Sequence, residues 1–396
     1  MKTILVLNAG SSSLKFALFA IEPELSDEAV LSGQIEGLGA SPTFSAKDAA
    51  GNVFNERVIM DGADLETQHA DALSFFSSWL NRHYPHFVIV AAGHRIVHGG
   101  TRFRHPVLLD ETARAYLATL IPLVPLHQPY NLGAVEAVHA LDPRIPQIGC
   151  FDTSFHTTQS ALASGYALPR ALSAEGIERY GFHGLSYDYV SRQLPEIIGR
   201  TRARGAVVVA HLGNGSSMCA LKDMKSVATS LGFSGAEGLM MGTRTGAIDP
   251  GVFLYLMQTR EYGYKELTNL VYKRSGLLGV SGISQDMRAL LASDAPEAAE
   301  AVGLYCYRAA RELGSLAAAL GGLDALVFTA GIGERSAAIR ARICELSHWL
   351  GIEIDPEANE ANSERLEASG SRVAIAMVPT NEERMIARYT AEKLEL

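Results

Sequence analysis

The chain has 396 residues, 47% of them hydrophobic and 19% charged, and carries a formal net charge of −9. This composition belongs to a folded globular protein with room for two domains, and excludes a disordered or fibrous one. The acidic balance argues against a general nucleic-acid or anionic-membrane surface, so an anionic ligand would have to be drawn in by a local positive cluster.

Four cysteines, Cys150, Cys219, Cys306 and Cys344, are widely scattered with no C-x-x-C spacing. That speaks against a disulfide framework or a cysteine zinc site and fits a reducing cytoplasm. Met1 and Lys2 precede the apolar run 4–7, but Asn8, Gly10 and Lys15 interrupt it before it could act as a signal-peptide core. No stretch approaches the roughly 18–20 apolar residues needed to span a bilayer. A soluble cytoplasmic protein is expected.

In chain order, apolar runs predict strands at 3–7, 14–19, 87–91, 148–151, 206–210, 325–329 and 373–378. Residues 26–64 are polar and glycine-rich, and read as a small excursion of hairpins. Asp249-Pro250 reads as N-cap and first-turn proline of a helix through 252–258. Ile339, Ile343, Leu346 and Leu350 share one face of a predicted helix over 336–350. Thr380-Asn381-Glu382-Glu383 has capping-box spacing and opens a final helix toward Leu394. The class is α/β throughout.

One segment echoes another. ILVLNAGSS followed by LKFAL at the start of the chain returns as VVVAHLGNGSS followed by MCAL at 207–221. Each copy is a buried strand, a tight Asn/Gly/Ser turn and a second strand. The pair predicts two similar domains facing each other across a cleft; the plainer alternative is two unrelated hairpins with similar turns.

Several positions suit phosphate chemistry. In the turn 8–15, glycine lets the backbone approach an anion, serine hydroxyls and consecutive N–H groups can surround phosphate oxygens, and Lys15 can add a charge. The loop 211–217 repeats the arrangement. Gly331-Ile332-Gly333-Glu334 follows a strand and precedes a helix, a place where α/β folds bind ligands, although glycine there could serve helix entry alone. Asp152 lies just past a strand, where a carboxylate addresses a metal or reacting group or simply caps a turn. Arg95 and Arg244, both near glycines, offer guanidinium forks for carboxylate or phosphate. His94 and His98 make a poor zinc pair, because Arg95 between them would repel a cation. A Gly-Lys dipeptide is missing, which excludes a Walker A loop, and neither a dinucleotide fingerprint nor a nucleophile elbow occurs.

Taken together, LVLNAGSSSLKF, GHRIVHGG, PLHQPYN, FDTSFH, YGFHGLS, HLGNGSS, EGLMMGTRTG, SGISQDMR, FTAGIGE and PTNEER make the sequence resemble the acetate kinase family from the first strand to the final helix. The resemblance implies two similar α/β domains of the acetate and sugar kinase/Hsp70/actin (ribonuclease H-like) type around an ATP cleft. Residues 1–150, joined by a C-terminal helix 381–396, would form the N-terminal domain, and 151–380 the nucleotide-binding domain. It implies reversible transfer of the γ-phosphate of ATP to acetate, giving acetyl phosphate and ADP. Asn8 and Glu382 would hold Mg2+, with Mn2+ as an alternative. Lys15, His211, Leu212, Gly213, Asn214, Gly215, Asp286, Met287, Arg288, Gly331, Ile332, Gly333, Glu334 and Arg335 would contact ATP. Arg95 would bind the carboxylate, with Val97, Leu126 and Phe182 around the methyl group. Asp152 corresponds to the family's active-site acid, His183 and Arg244 would stabilise the transition state, and His127 lies close to them. A homodimer is implied, with no nucleic-acid or membrane partner.

A short carboxylate is already ionised at neutral pH, so the reaction asks for charge neutralisation and in-line positioning more than for a base. Asp152 is therefore expected to orient Mg2+, a water or an arginine. One departure concerns the acceptor: Gly235 and Ala236 stand where many family members carry Pro-Leu beside the acyl pocket. A roomier pocket would admit propionate, since an added methylene is worth only about 1–3 kcal/mol of discrimination. The competing readings are a propionate or other short-chain acyl kinase and, more remotely, an ATP-dependent binding module of the same superfamily.

Overall fold

The computed structural model describes residues 1–10, 12–59, 65–125 and 127–396. The chain divides into two compact units, Met1–Ser154 with Asn381–Leu396, and Phe155–Thr380.

The first unit is built on a sheet of β1 (Lys2–Ala9), β2 (Ser13–Ala20), β3 (Leu31–Glu36), β4 (Thr43–Asp48), β5 (Val53–Arg57), β6 (Val88–Ile96), β7 (Val107–Leu108) and β8 (Gln147–Phe151), in the order β5-β4-β3-β2-β1-β6-β8-β7. β1, β6 and β8 run parallel, and β2 to β5 continue the sheet as antiparallel hairpins. Alternation along the strands decides the faces. Leu5, Leu7, Leu14, Phe16 and Leu18 pack with Phe76, Trp79, Ala134 and Val138, which come from the helices Leu65–His83 and Gln128–Leu141. The final helix, Glu382–Leu394, packs against β1 and β6. Glycine at position 93 is what admits it: a Cβ there would meet Thr390 Oγ1 at 2.3 Å and Ile386 Cγ2 at 2.6 Å.

The second unit repeats the central order. β9 (Val207–Leu212), β10 (Ser216–Lys222), β11 (Lys225–Thr229), β12 (Ala325–Thr329) and β13 (Ala374–Met377) lie as β11-β10-β9-β12-β13, with the hairpin on one side of β9 and the parallel pair on the other. This matches β3-β2-β1-β6-β8 strand for strand, so the sequence echo marks a duplicated sheet. Val208, Ala210 and Phe328 face the helix Pro296–Leu320, whereas Val207, Val209 and Val327 face the helix Gly184–Ile197.

Three local expectations change. The hairpins expected within 26–64 are strands of the main sheet itself; residues 60–64 lie outside the described residues. The helix expected over 336–350 ends at Leu346 and gives way to a 3-10 turn, His348–Leu350. The capping box does not form around Thr380. Its N–H is bound instead to Glu334 Oε1 at 3.1 Å, and Asn381 becomes the cap, its Oδ1 accepting the Arg384 N–H at 2.9 Å. Glu382 and Glu383 thus open the helix. Asp249 does cap the helix Pro250–Arg260, accepting the Gly251 N–H. Among the described residues, no helix is long and apolar enough to cross a membrane.

Candidate active site

In the first unit the parallel strands bring their carboxyl ends to one edge of the sheet, where ligands bind in open α/β folds. Asn8 nears the end of β1, Arg95 the end of β6, and Asp152 follows β8. Arg95 Nε donates to Asp152 Oδ1 at 3.0 Å and Nη2 to Oδ2 at 2.6 Å, a two-point ion pair. Its remaining nitrogen, Nη1, donates to Asn8 Oδ1 at 3.2 Å, and Glu382 Oε2 lies 3.8 Å from Nε. Burial opposes the charge on Arg95, but Asp152 and Glu382 outweigh it and raise its pKa. Burial pushes Glu382 up to about 7; Arg95 and Lys15 pull it down, while Asp152 and Glu383 push it further up. Three carboxylates, Asp152, Glu382 and Glu383, thus share this site with two cations, Arg95 and Lys15.

The neighbouring shell is neutral. Val97 is buried, and its N–H donates to Asn131 Oδ1, whose Nδ2 donates to Ala9 O, tying β6 to the end of β1. His69 Nε2 donates to Gly10 O at 2.8 Å, a support for the first glycine turn that sequence reasoning missed, because nothing local links the two positions. Burial lowers His94 and His98 to about 4, so both are uncharged at neutral pH. Among the described residues, no group of three or more His, Cys, Asp or Glu could hold a metal. His127 precedes the helix Gln128–Leu141 as its N-cap. Leu126, expected beside the acyl group, lies outside the described residues. Lys15, opposite Asn8 in the β1–β2 register, lines a depression of about 570 Å³ with Lys47, Asn381 and Glu383.

In the second unit the three segments nominated for ATP meet around one cleft of about 490 Å³, lined by Gly213, Asn214, Asp286, Met287, Arg288, Gly331, Ile332 and Arg335. Gln285, Leu291 and Ser336 join them; each adjoins a nominated motif or lies one helical turn along from it. His211, Leu212, Gly215, Gly333 and Glu334 do not line it. Leu212 is core, and His211 Nδ1 bonds Ser186 Oγ at 2.8 Å. The glycine segment is not an open turn but a short helix, Ala330–Arg335, entered through Ala330 at φ 65°. A Cβ on Gly331 would meet open space, whereas Gly333 packs on Phe328 and Ala210 O. Glu334 Oε1 accepts the N–H groups of Ala330 and Thr380. Arg340, wholly buried, donates to Gly333 O and Glu334 O at 3.0 Å each and to Asn359 Oδ1 at 2.7 Å. Gly333 and Glu334 thus brace the wall that Gly331 and Ile332 present.

His183 sits at φ 57° as N-cap of the helix Gly184–Ile197, two residues after Gly181 at φ 76°. The sharp turn rests on His156. A Cβ on Gly181 would meet that ring at 2.6 Å, and His156 Nε2 donates to Phe182 O at 2.9 Å. Burial lowers His156 to about 4, so it is uncharged. Phe182 is buried beside it. The His183 ring stacks on His211 with centroids 4.2 Å apart, and its Nε2 lies 3.4 Å from where a Gly215 Cβ would stand. Arg244 Nη1 donates to Gly235 O at 2.9 Å, and a Cβ on Gly235 would stand 2.9 Å from the same nitrogen. The departure at Gly235 therefore bears on the seat of Arg244.

The duplicated strand order, with glycine turns at strand ends in both copies, is the two-domain α/β frame of the acetate and sugar kinase/Hsp70/actin superfamily. Within it the chain belongs to the Acetokinase family, whose pattern it matches over residues 3–388. It is 49% identical to an acetate kinase of Rhodopseudomonas palustris over 98% of this chain and 97% of that protein. Its fold is similar to that of a propionate kinase from Francisella tularensis, with a TM-score of 0.91, 36% identity and coverage of 99% and 100%. It is also similar to an acetate kinase from Porphyromonas gingivalis, with a TM-score of 0.87, 36% identity and full coverage of both chains.

The elevated Glu382 pKa fixes the sign of one pH effect. The folded state holds the Glu382 proton up to about pH 7, whereas an unfolded glutamate releases it near 4.3. The penalty of ionising it is absent below the unfolded value, grows as pH rises between the two, and is complete above the folded one. Without divalent cations, Glu382→Gln should be more stable than the parent at pH 8 by roughly 1–3 kcal/mol, and the gap should close by pH 4. Urea midpoints at the two pH values check this; an equal gap at both would show that Glu382 does not titrate as described.

Proposed function

We propose that the protein is an acetate kinase: it transfers the γ-phosphate of ATP to acetate, reversibly and in line, giving acetyl phosphate and ADP. The observation that carries this reading is the Arg95–Asp152 pair with Asn8 and Glu382 around it. That is a site for anions and a cation. An acetate oxygen forms the new bond to the γ-phosphorus as the bond from that phosphorus to the bridging oxygen of ADP breaks; no proton has to move. Arg95 neutralises the carboxylate, and Val97, Leu126 and Phe182 are the residues that the family resemblance assigns to its methyl group. His183 and Arg244, with His127 nearby, donate to the equatorial oxygens, where charge accumulates in the transition state.

In this reading the first unit serves as the acceptor domain and the second as the nucleotide domain. The adenine nucleotide takes the cleft of the second unit, between the turn at Gly213–Asn214 and the helix carrying Gly331, with Asp286–Arg288 on its wall. His211, Leu212, Gly215, Gly333 and Glu334 shape that site from behind, and Lys15 supplies a charge from β2. Asn8 and Glu382 offer oxygen donors alone, and the surplus negative charge at Glu382 suits a hard divalent cation that keeps waters and phosphate oxygens in its shell. They would hold Mg2+, or Mn2+, which when bound offsets the phosphate charge. Gly235 under Arg244 and the similarity to a propionate kinase support propionate as a second acceptor.

The exposed helix Pro250–Arg260 supports a homodimer. None of its residues is buried, and Leu254, Tyr255 and Met257 are more than half exposed. A second copy is the partner that fits an apolar face of this kind.

Three measurements test these readings. With ATP, Mg2+ and hydroxylamine, acetate should give an acyl hydroxamate, with kcat/KM falling roughly 5- to 100-fold per added methylene; absence of hydroxamate from every acid of two to four carbons sinks the assignment. Asp152→Asn should lose about 100-fold or more in kcat at every pH from 6 to 9, because an orienting group is missed at all of them; recovery at high pH would instead mark a base. Sedimentation should give a dimer that Leu254→Glu dissociates, and a wild-type monomer at micromolar concentration would end the dimer proposal.

A further inference from the structure

Around His183 lies a hydrogen-bond chain that the transfer reaction described above does not require and that the sequence does not announce. His183 Nδ1 is 2.8 Å from Ser217 Oγ, and Ser217 Oγ is also bonded to the hydroxyl of Tyr187. Two local rules bring the three together. Positions 183 and 187 are one helical turn apart, so their side chains share a face. Ser217 stands on β10 directly opposite His211 of β9, the residue on which the His183 ring stacks. Tyr187 and Ser217 have no exposed surface.

Counting hydrogens fixes the direction of the chain. Burial raises the Tyr187 pKa well above its ordinary value, so the phenol keeps its proton. Among the described residues the partner of that hydroxyl is Ser217 Oγ, and a buried O–H left without an acceptor is costly. Tyr187 therefore donates to Ser217. Ser217, having accepted, turns its own hydrogen to the other partner, His183 Nδ1. A nitrogen that accepts carries no proton, so the imidazole proton sits on Nε2. That nitrogen lies beside Gly215, in the turn whose Gly213 and Asn214 line the nucleotide cleft.

We propose that Tyr187 and Ser217 are positioning residues for phosphoryl transfer, holding His183 as the neutral Nε2–H tautomer so that its donor faces the turn 213–215. The proposal rests on the kinase reading for its consequence, since the donor matters only if a phosphoryl group passes there. Its physical content, the tautomer, can be read without turnover. An imidazolium at this position would need Nδ1–H to donate to Ser217, whose oxygen would then accept from both partners and leave the buried serine's own hydrogen without an acceptor. The relay thus supplies a neutral donor that needs no protonation step at neutral pH, and it disfavours the other tautomer, which would present a lone pair to the phosphoryl oxygens.

The test uses the full-length enzyme labelled with 15N-histidine at neutral pH. In the wild type, His183 should show a pyrrole-type Nε2 and a pyridine-type Nδ1. Ser217→Ala should shift both signals toward a mixture of tautomers and lower kcat roughly 10- to 100-fold, with the KM values for ATP and acetate little changed. Ser217→Thr, which keeps the hydroxyl, should restore the tautomer and most of kcat, a rescue that a packing role alone would not give. Tyr187→Phe, which leaves the serine free to donate, should lie between them and serves where Ser217→Ala folds poorly. A wild-type His183 that is an imidazolium or carries its proton on Nδ1, or spectra unchanged in both Ser217→Ala and Tyr187→Phe, overturns the relay. Failure of the wild type to make hydroxamate overturns the kinase reading separately, so the two results are not confused.

Discussion

Two hydrogen bonds between Arg95 and Asp152 set the chemistry of the first unit. The partners leave neighbouring parallel strands within a few residues of each other in register, so the sheet fixes their spacing before any side chain chooses a rotamer. The guanidinium then has one nitrogen left for Asn8 and a long-range pull on Glu382. Removing Asp152 would leave an arginine with little exposed surface facing a neutral amide and a carboxylate whose pKa burial has already raised. Removing Arg95 would crowd carboxylates together with only a lysine nearby. The pair also narrows what Asp152 can do. Both of its oxygens are committed to the guanidinium, and an ionised acetate has no proton to give it.

The second unit uses the same strand order for a different purpose. Its hairpin turn carries glycine and asparagine toward the cleft, and the ionic partners of the first unit have no counterpart on it. Rigidity comes instead from side chains bonded to the backbone: His156 under the turn at Gly181, Glu334 across two N–H groups, and Arg340 over several backbone oxygens. A buried arginine satisfied by carbonyl and amide oxygens holds the short helix Ala330–Arg335 in place. The first half of the duplication braces its site with an ion pair between side chains, and the second braces its turns through bonds to the backbone.

Much of this was legible in the sequence. Strand positions followed from apolar runs, because strands buried on both faces leave little else to read. The duplication was visible because the turn residues, Asn, Gly and Ser, recur at the same offset from the strand. That distant segments share one cleft was legible at Gly213, Asn214, Asp286 and Gly331, where motif and exposure coincide. It failed at Gly333 and Glu334, which share the motif but face inward; only three-dimensional packing separates a glycine that opens a surface from one that closes a core. The cap of the last helix was misplaced because Thr380 is claimed by Glu334, a contact 46 positions away. The support from His69 to Gly10 escaped for the same reason, and the Tyr187–Ser217–His183 chain joins a helical spacing to a strand register that no single window contains.

The last helix has a further consequence, one of timing. Its Ile386 and Thr390 lie over Gly93, and it carries Glu382 to the side of Arg95. A ribosome delivers β1 and β6 before the second unit and this helix after it. The nascent first unit must therefore wait, with one face of its central strands uncovered, while the whole second unit is synthesised. Until residues 381–396 emerge, the chain has its arginine–aspartate pair but lacks Glu382, so the first unit cannot yet assemble its full set of ionic partners.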